Sequence, residues 1–308
     1  MTSEVFMPNQ VTVLMSTYNG GQFLQQQLNS LYEQTYPHIK ILVRDDGSSD
    51  ATNTILAHEQ ARGAIAQLEA GANLGATASF FTLLRHAAQT QTAYVAFCDQ
   101  DDVWQTNKIE RAVSLLAEVS DCPALYCSRL DIVNEQLEML ELSVKPTKIG
   151  FGNALVENIA VGCTMVLNRK AIDLLCQQTL PNHVYVHDWW CYLVISCFGK
   201  IIFDDNPLIK YRQHGGNVIG AATNHIGVLK RKLARLFNAR LWISEQTVTF
   251  LELFADRLPP AERELLTLLI KAKSSCWCRV RLALSPAIWR QKSIDNFILR
   301  LVILMNRI

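Results

Sequence analysis

Three aspartates crowd into the eight residues "FCDQDDVW" (97 to 104), at the end of the apolar run Tyr94-Val95-Ala96-Phe97-Cys98. Carboxylates this close destabilise one another unless a cation, a basic side chain or open water lies between them. Asp99 and Asp101, two apart among polar neighbours, suit a hard divalent cation such as Mn2+ or Mg2+, or a sugar hydroxyl, with Asp102 in support. Taken alone, the same residues also read as a solvated turn that caps the next helix. Two other polar turns bear on the choice. "STYNGG" (16 to 21) offers a hydroxyl at Ser16 and an aromatic face at Tyr18. "RDDGSSD" (44 to 50) offers Asp46 as an acceptor for a nucleobase or ribose, the alternative being an Asx turn ahead of Gly47.

Each turn ends a strand-like run: 11 to 15, 39 to 43 and 94 to 98. Helical patterns alternate with them, carrying Phe23, Leu24, Leu28 and Leu31, then Ile55 and Leu56, then Phe80, Phe81, Leu83 and Leu84 after Asn73-Leu74-Gly75. This alternation predicts an α/β fold with a mostly parallel, doubly wound central sheet flanked by helices. Ligands of such sheets bind beyond the carboxyl ends of the strands, so the three turns should meet at one edge. That convergence favours a site over a solvated turn. Further along, the pattern predicts a helix over 108 to 118 and strands near 124 to 127 and 163 to 167. "VYVHDWWCYLVISCFG" reads as a loop entering a helix, with Asp188 where a carboxylate suits the helix dipole. "KIIFDDNPLIKYRQHGGNVIG" reads as a strand, a turn at Asn206-Pro207, a second strand and a Gly-rich loop bearing Arg212, His214 and Asn217.

The 308 residues, 49% hydrophobic and 19% charged, hold ample material for a sizeable core. The net charge of +1 hides an asymmetry: residues 225 to 308 carry 15 Lys/Arg against 6 Asp/Glu, the remainder 14 against 22. Such a basic tail suggests an anionic surface as partner. Within it Lys230, Arg231, Lys232 and Arg235 flank Leu229, Leu233 and Leu236 at helical spacing, suited either to a membrane surface or to packing as a solvated helix. The nine cysteines show no zinc-like pairing and read as reduced core residues of a cytosolic protein. No secretory signal is visible in Met1 to Gln10, and no apolar run is long enough to span a bilayer. G-x-x-x-x-G-K-[ST], a strand-linked G-x-G-x-x-G and G-x-S-x-G are all missing, so neither a P-loop, a dinucleotide fingerprint nor a nucleophile elbow explains the acidic edge. A nucleoside diphosphate site built from carboxylates and a metal remains.

The stretch from Val11 through "VRDDGSSDATNTIL", then "NLG", then "YVAFCDQDDVWQTNKIE", resembles the nucleotide-sugar-binding half of family 2 glycosyltransferases of the GT-A fold. "HDWW" and "YRQHGGNVIG" resemble a bacterial rhamnosyltransferase-like subgroup of O-antigen or capsule assembly. The resemblance covers residues 10 to about 220. It implies that Ser16, Tyr18 and Asp46 hold the nucleoside, with Asn19, Asn73, Gln100 and Arg212 completing the nucleotide-sugar set, and that Asp99 and Asp101 bind the metal on the donor diphosphate. It implies Asp188 as general base, although His187 stands where the family often has Glu. His214 becomes a metal ligand or diphosphate contact, Arg212 an offset to phosphate charge. Trp189 and Trp190 become a stacking wall for the acceptor, with core packing an equal explanation for at least one.

The expectation is a GT-A domain over 1 to 222, divided into a nucleotide-sugar half (about 10 to 105) and an acceptor half (about 106 to 222), followed by a basic helical region over 223 to 308. Its activity would be inverting and metal-dependent, moving L-rhamnose from dTDP-L-rhamnose to a lipid-linked oligosaccharide in surface polysaccharide biosynthesis, in the cytoplasm and peripherally at the inner face of the membrane. Alternatives are a UDP-sugar-dependent glucosyl, galactosyl or N-acetylhexosaminyl transferase, a sugar-phosphate nucleotidyltransferase and a non-catalytic binding module. No nucleic acid is expected as a partner.

Overall fold

The computed structural model describes residues 9–68, 72–177, 180–181, 184–215, 243 and 245–307. Asn217 and the basic segment around 229 to 236 lie outside the described residues. The first half runs β1 (Val11–Thr17), α1 (Leu24–Tyr32), β2 (Ile39–Asp45), α2 (Thr52–Ala61), the two-residue β3 (Ala66–Gln67), α3 (Ala76–Ala88) and β4 (Tyr94–Cys98). There follow β5 (Val103–Trp104), α4 (Lys108–Ala117), β6 (Ala124–Ser128), β7 (Asp131–Val133), β8 (Met139–Leu142), α5 (Phe151–Ala154), β9 (Val166–Asn168), α6 (Arg169–Cys176), α7 (His187–Phe198), β10 (Lys200–Asp204) and β11 (Ile209–Arg212). Residues 245–254 are helical and are called α8. Three helices follow, α9 (Pro260–Lys271), α10 (Cys276–Leu284) and α11 (Ser293–Leu304).

Seven strands form the main sheet in the order β10-β6-β9-β4-β1-β2-β3. Successive side chains of β1 point to opposite faces, and both faces are covered. Val13 and Met15 join one apolar cluster with Leu24, Leu28 and Ile109, while Leu14 joins the other with Phe80, Leu84 and Trp190. This two-sided burial accounts for the unbroken apolar runs in the sequence. In the parallel pairing β2-β1-β4, Met15 stands level with Val43 and with Cys98, so the three strands end side by side. The sheet departs from a purely parallel one at β9, which runs antiparallel between β4 and β6. The strand expected at 163 to 167 begins later, because Gly162–Thr164 forms a 3-10 turn first.

A second, four-stranded sheet in the order β5-β11-β7-β8 was not anticipated. "KIIFD" and "LIKYR" part company there: β10 joins β6 at the edge of the main sheet, whereas β11 pairs with β5 and β7. Since β5 starts one residue after Asp102, this pairing brings the end of β11 to the aspartates.

The C-terminal helices share the core of the main domain, with Phe250, Phe254, Leu266 and Ile303 in the same cluster as Trp190. Their docking is close. A Cβ on Gly152 would lie 1.7 Å from the carbonyl oxygen of Ala287, so only glycine admits that segment. Trp289 Nε1 donates to the Lys148 carbonyl (3.2 Å), the Lys148 ammonium lies 3.7 Å from the Trp289 ring centroid, and Asn153 Nδ2 donates to the Trp289 carbonyl (3.1 Å). All nine cysteines are free thiols.

Candidate active site

At the end of β1, the chain must turn sharply towards α1. Asn19 takes a left-handed conformation (φ 48°), its N–H donates to Ser48 Oγ (2.8 Å) and its Oδ1 accepts from the Ser49 N–H (2.8 Å). The first two strand-end turns are thereby tied together. Gln100 ties the first to the third: the Tyr18 N–H donates to its Oε1 (2.9 Å) and its Nε2 donates to the Tyr18 carbonyl (3.0 Å). The amide lies flat over Gly20, where any Cβ would come within 2.2 Å of it. Both residues act through backbone positioning. The Tyr18 ring, 52% exposed, leaves a face open for stacking.

Ser16 donates to Ser79 Oγ (2.7 Å) on α3. Asp46 differs from the expectation of a free acceptor. Its carboxylate accepts from the backbone N–H groups of Leu74 and Gly75 (2.8 Å each) and from Arg44, and the residue is buried. It anchors the segment entering α3, the "NLG" element, to the end of β2. Arg44, which sequence reading passed over, completes this anchor by donating to Ser79 Oγ and to the Ala72 carbonyl. Arg44, near the end of β2, and Asp46, just past it, are i, i+2 in an extended stretch and so fall on one side, which is the signal that pairs them. Asn73 is exposed, its Oδ1 accepting from the Gly75 N–H (3.2 Å).

The aspartates divide by environment. Asp99 is half-buried, and burial first, then the charges of Asp101 and Asp188, push its carboxyl up to about 7. Asp101 Oδ2 lies 2.7 Å from His214 Nε2, so β11 does deliver the histidine to the acidic turn. Asp102 is fully buried and accepts from the Arg212 N–H (3.1 Å), fastening β11 to the turn; burial and then its acidic neighbours push its carboxyl well up. Its Oδ2 has no partner, and ligand atoms of Asp99, Asp102 and Cys163 lie within 4.8 Å of one another. Behind them Lys108, also fully buried, sits 3.2 Å from the Trp104 ring centroid, and burial lowers it to about 7. Asp99 and Asp102, pushed up by burial and then by their acidic neighbours, with Asp101 and an imidazole beside them, make a donor set that fits a divalent cation.

Arg212, expected to offset phosphate charge, is tied into the acidic turn. Its Nε donates to the Asp101 carbonyl (2.8 Å), Nη1 to the Glu135 carbonyl and Nη2 to Gln26 Oε1 (2.6 Å), with the guanidinium over Phe23, and it is 1% exposed. It shapes the turn that carries the aspartates.

Asp188 lies in the first turn of α7. Its Oδ2 accepts from the Gly162 N–H (3.0 Å) and its Oδ1 from the Trp189 N–H (2.6 Å). Burial outweighs these bonds and pushes the carboxyl up to about 6. Repulsion between it and Asp99 brings the base candidate and the acidic turn into one electrostatic unit. His187 is stacked on Phe80 at 4.1 Å between centroids, and burial lowers it to about 3, so it is neutral.

The tryptophan wall is not there. Trp190 is 1% exposed and packs with Phe250 and Phe254; buried Trp189 donates from Nε1 to the Ala154 carbonyl (2.6 Å). Neither indole presents a face to a sugar. The exposed aromatic in this stretch is Tyr185, edge-on to Trp189 at 5.9 Å.

Three parallel strands ending in clamped polar turns, an acidic edge with a histidine, and a half-buried carboxylate facing it define an α/β enzyme of the GT-A type. The model of Glycosyl transferase family 2 matches residues 12–175, and the chain belongs to that family. It is 26% identical to the dTDP-rhamnosyl transferase RfbG of Shigella flexneri, over 79% of this chain and 85% of that protein. It is 30% identical to the UDP-Glc:alpha-D-GlcNAc-diphosphoundecaprenol beta-1,3-glucosyltransferase WfgD of Escherichia coli, over 72% and 83%. Among solved structures, S. aureus TarS 1-349 in complex with UDP-GlcNAc is similar at a TM-score of 0.56 and 18% identity, covering 96% of this chain and 90% of that one. Mannosyltransferase PcManGT from Pyrobaculum calidifontis, in complex with GDP-Man and Mn2+, gives 0.51 and 16%, covering 98% and 91%. The protein is a glycosyltransferase, which sets aside the nucleotidyltransferase and binding-module alternatives.

Proposed function

We propose that the protein transfers a hexosyl group, with inversion, from a nucleoside diphosphate sugar to a lipid-linked glycan in surface polysaccharide assembly. The observation that carries this reading is Asp188, a carboxylate whose affinity for protons burial raises to about 6 and which the Gly162 and Trp189 N–H groups hold in place. A base of that strength is mostly ionised at neutral pH yet takes a proton readily. The acceptor hydroxyl oxygen forms a bond to the anomeric carbon as the bond from that carbon to the diphosphate breaks. Asp188 receives the hydroxyl proton, and the nucleoside diphosphate leaves with the electron pair. Asp99, Asp101 and His214 would hold a Mn2+ or Mg2+ ion, which supplies charge stabilisation to the departing diphosphate. Tyr18 stacks on the nucleobase, while Gln100, Asn19, Ser16, Asp46 and Asn73 keep the three turns in register around it.

The donor is dTDP-L-rhamnose, a reading supported by the likeness to RfbG. UDP-glucose is the second reading, supported by the likeness to WfgD, whose name also specifies a diphosphoundecaprenol acceptor. The protein works in the cytoplasm and attaches peripherally to the inner face of the membrane; among the described residues no helix is long and apolar enough to cross one. The test is donor hydrolysis across dTDP-L-rhamnose, UDP-glucose, UDP-GlcNAc and GDP-mannose, with Mn2+ and with EDTA. Consumption of dTDP-L-rhamnose that stops in EDTA is expected. Consumption of none, or consumption indifferent to EDTA, overturns the reading.

A further inference from the structure

Helix α11, SIDNFILRLVIL, is apolar almost all round, a pattern that ordinarily marks a helix buried on every side. Among the described residues only one side is covered: Leu299 and Ile303 are buried, in one cluster with Leu282 and Ala283 of α10. On the opposite side Ile294, Phe297, Leu301 and Leu304, spaced three, four and three apart, are exposed, Phe297 by 60%. On α10, Trp277 and Leu284, seven apart and therefore on one face, are exposed by 70% and 79%. The charge around these rows is mostly positive, Glu264 of α9 lying 4.0 Å from Arg281. Residues 271 to 307 hold eight Lys/Arg and a single acid, Asp295, and Lys271, Lys273, Arg281, Lys292 and Arg307 are exposed.

An apolar row bordered by cations complements a surface that offers hydrocarbon beneath negative charge, namely a bilayer containing anionic lipid. Twelve helical residues span about 18 Å, well short of the roughly 30 Å hydrocarbon core, so the helix would lie in the interfacial plane. Tryptophan is a residue of that interface. We propose that α10 and α11 form a membrane-docking face, resting flat on anionic lipid with the apolar rows below the headgroups and the basic side chains among the phosphates. This inference rests on the peripheral attachment given above and names where it occurs. The face would also orient the catalytic domain. The α10–α11 pair is continuous with the Trp289 segment seated against Gly152, and Tyr192 of α7, the helix whose first turn holds Asp188, donates to Asn153 Oδ1 (2.9 Å) on α5.

The experiment is co-sedimentation of the full chain with vesicles of phosphatidylglycerol and phosphatidylcholine, and of phosphatidylcholine alone, across a salt series. Wild type should bind the anionic vesicles, weaken as salt rises, and leave neutral vesicles largely unbound. Phe297→Glu with Leu301→Glu should lower the bound fraction at least tenfold while donor hydrolysis is kept. Should that variant fail to fold, Lys273→Glu with Lys292→Glu serves in its place, with binding again expected to fall. Wild type that ignores anionic vesicles overturns the proposal. So does a folded Phe297→Glu, Leu301→Glu protein that binds as before, which would leave peripheral attachment standing but move it to another segment. A wild-type dimer that the same variant converts to monomer by light scattering, with vesicle binding unchanged, also overturns it and assigns the face to a second copy.

Discussion

Replacing Asp188 by Asn should produce an enzyme that is more stable and nearly inactive. Burial raises the carboxyl from an ordinary 3.8 to about 6, so holding it ionised at pH 7.5 costs the fold about 3 kcal/mol. Asn removes that charge but offers one acceptor oxygen where the carboxylate serves the Gly162 and Trp189 N–H groups, and the lost bond costs about 1 kcal/mol. The balance, about 2 kcal/mol, should raise Tm by a few degrees at pH 7.5. The sign reverses with acid. Because the folded-state value is raised, the penalty is fully present above about 6 and disappears as pH falls towards 3.8, leaving Asn the less stable protein near pH 4. Turnover, followed as released nucleoside diphosphate, should drop by about 10²–10⁴-fold, and wild-type kcat/KM should fall about tenfold per pH unit below about 6. Near-normal turnover in Asp188→Asn would remove it as the base. A Tm lower than wild type at pH 7.5 would show that its carboxylate is not desolvated.

Gln100→Ala loses both bonds to the Tyr18 backbone and frees the turn at 16 to 21, so kcat/KM for the donor should fall by up to about thirtyfold, for two bonds of roughly 1 kcal/mol each, chiefly through KM, and Tm should fall by a few degrees; donor-saturation kinetics and a melting curve measure the two effects. Trp190→Ala should cost about 3–5 kcal/mol in urea unfolding yet leave the acceptor KM of the folded enzyme unchanged, because the indole belongs to the core.

The parts of this fold that were legible are those whose pattern is long and two-sided. β1, β2 and β4 advertise themselves as continuous apolar runs because both of their faces are buried, and their ends fix where the polar turns must meet. β5, β7 and β8 span two to four residues each and carry no run of that kind, so the small sheet that brings His214 to Asp101 was invisible as a sheet, although the histidine itself was chosen. Trp189 and Trp190 were read as a stacking wall with core packing an equal explanation for at least one, and a signal for the core was available: they open ten consecutive apolar or small residues, as expected of a helix buried all round. Arg212 gave no such warning. It donates to acceptors on residues 26, 101 and 135, a meeting set by tertiary packing alone. Asp188 was legible as a helix-start carboxylate, but its raised proton affinity depends on burial, which no local pattern encodes.

The antiparallel insertion of β9 bears on how the chain is made. β4 ends in the acidic turn, and until residues 166 to 168 arrive beside it the strand has a partner on one side only. A growing chain that has emerged only as far as residue 105 therefore displays an apolar edge with unpaired backbone groups, the kind of surface that recruits other strands. The two halves that look separable in sequence are then obligate partners at birth. A fragment cut at 105 should aggregate rather than bind nucleotide, and the nascent chain has every reason to meet a chaperone during the nearly seventy residues that separate β4 from the strand that closes it.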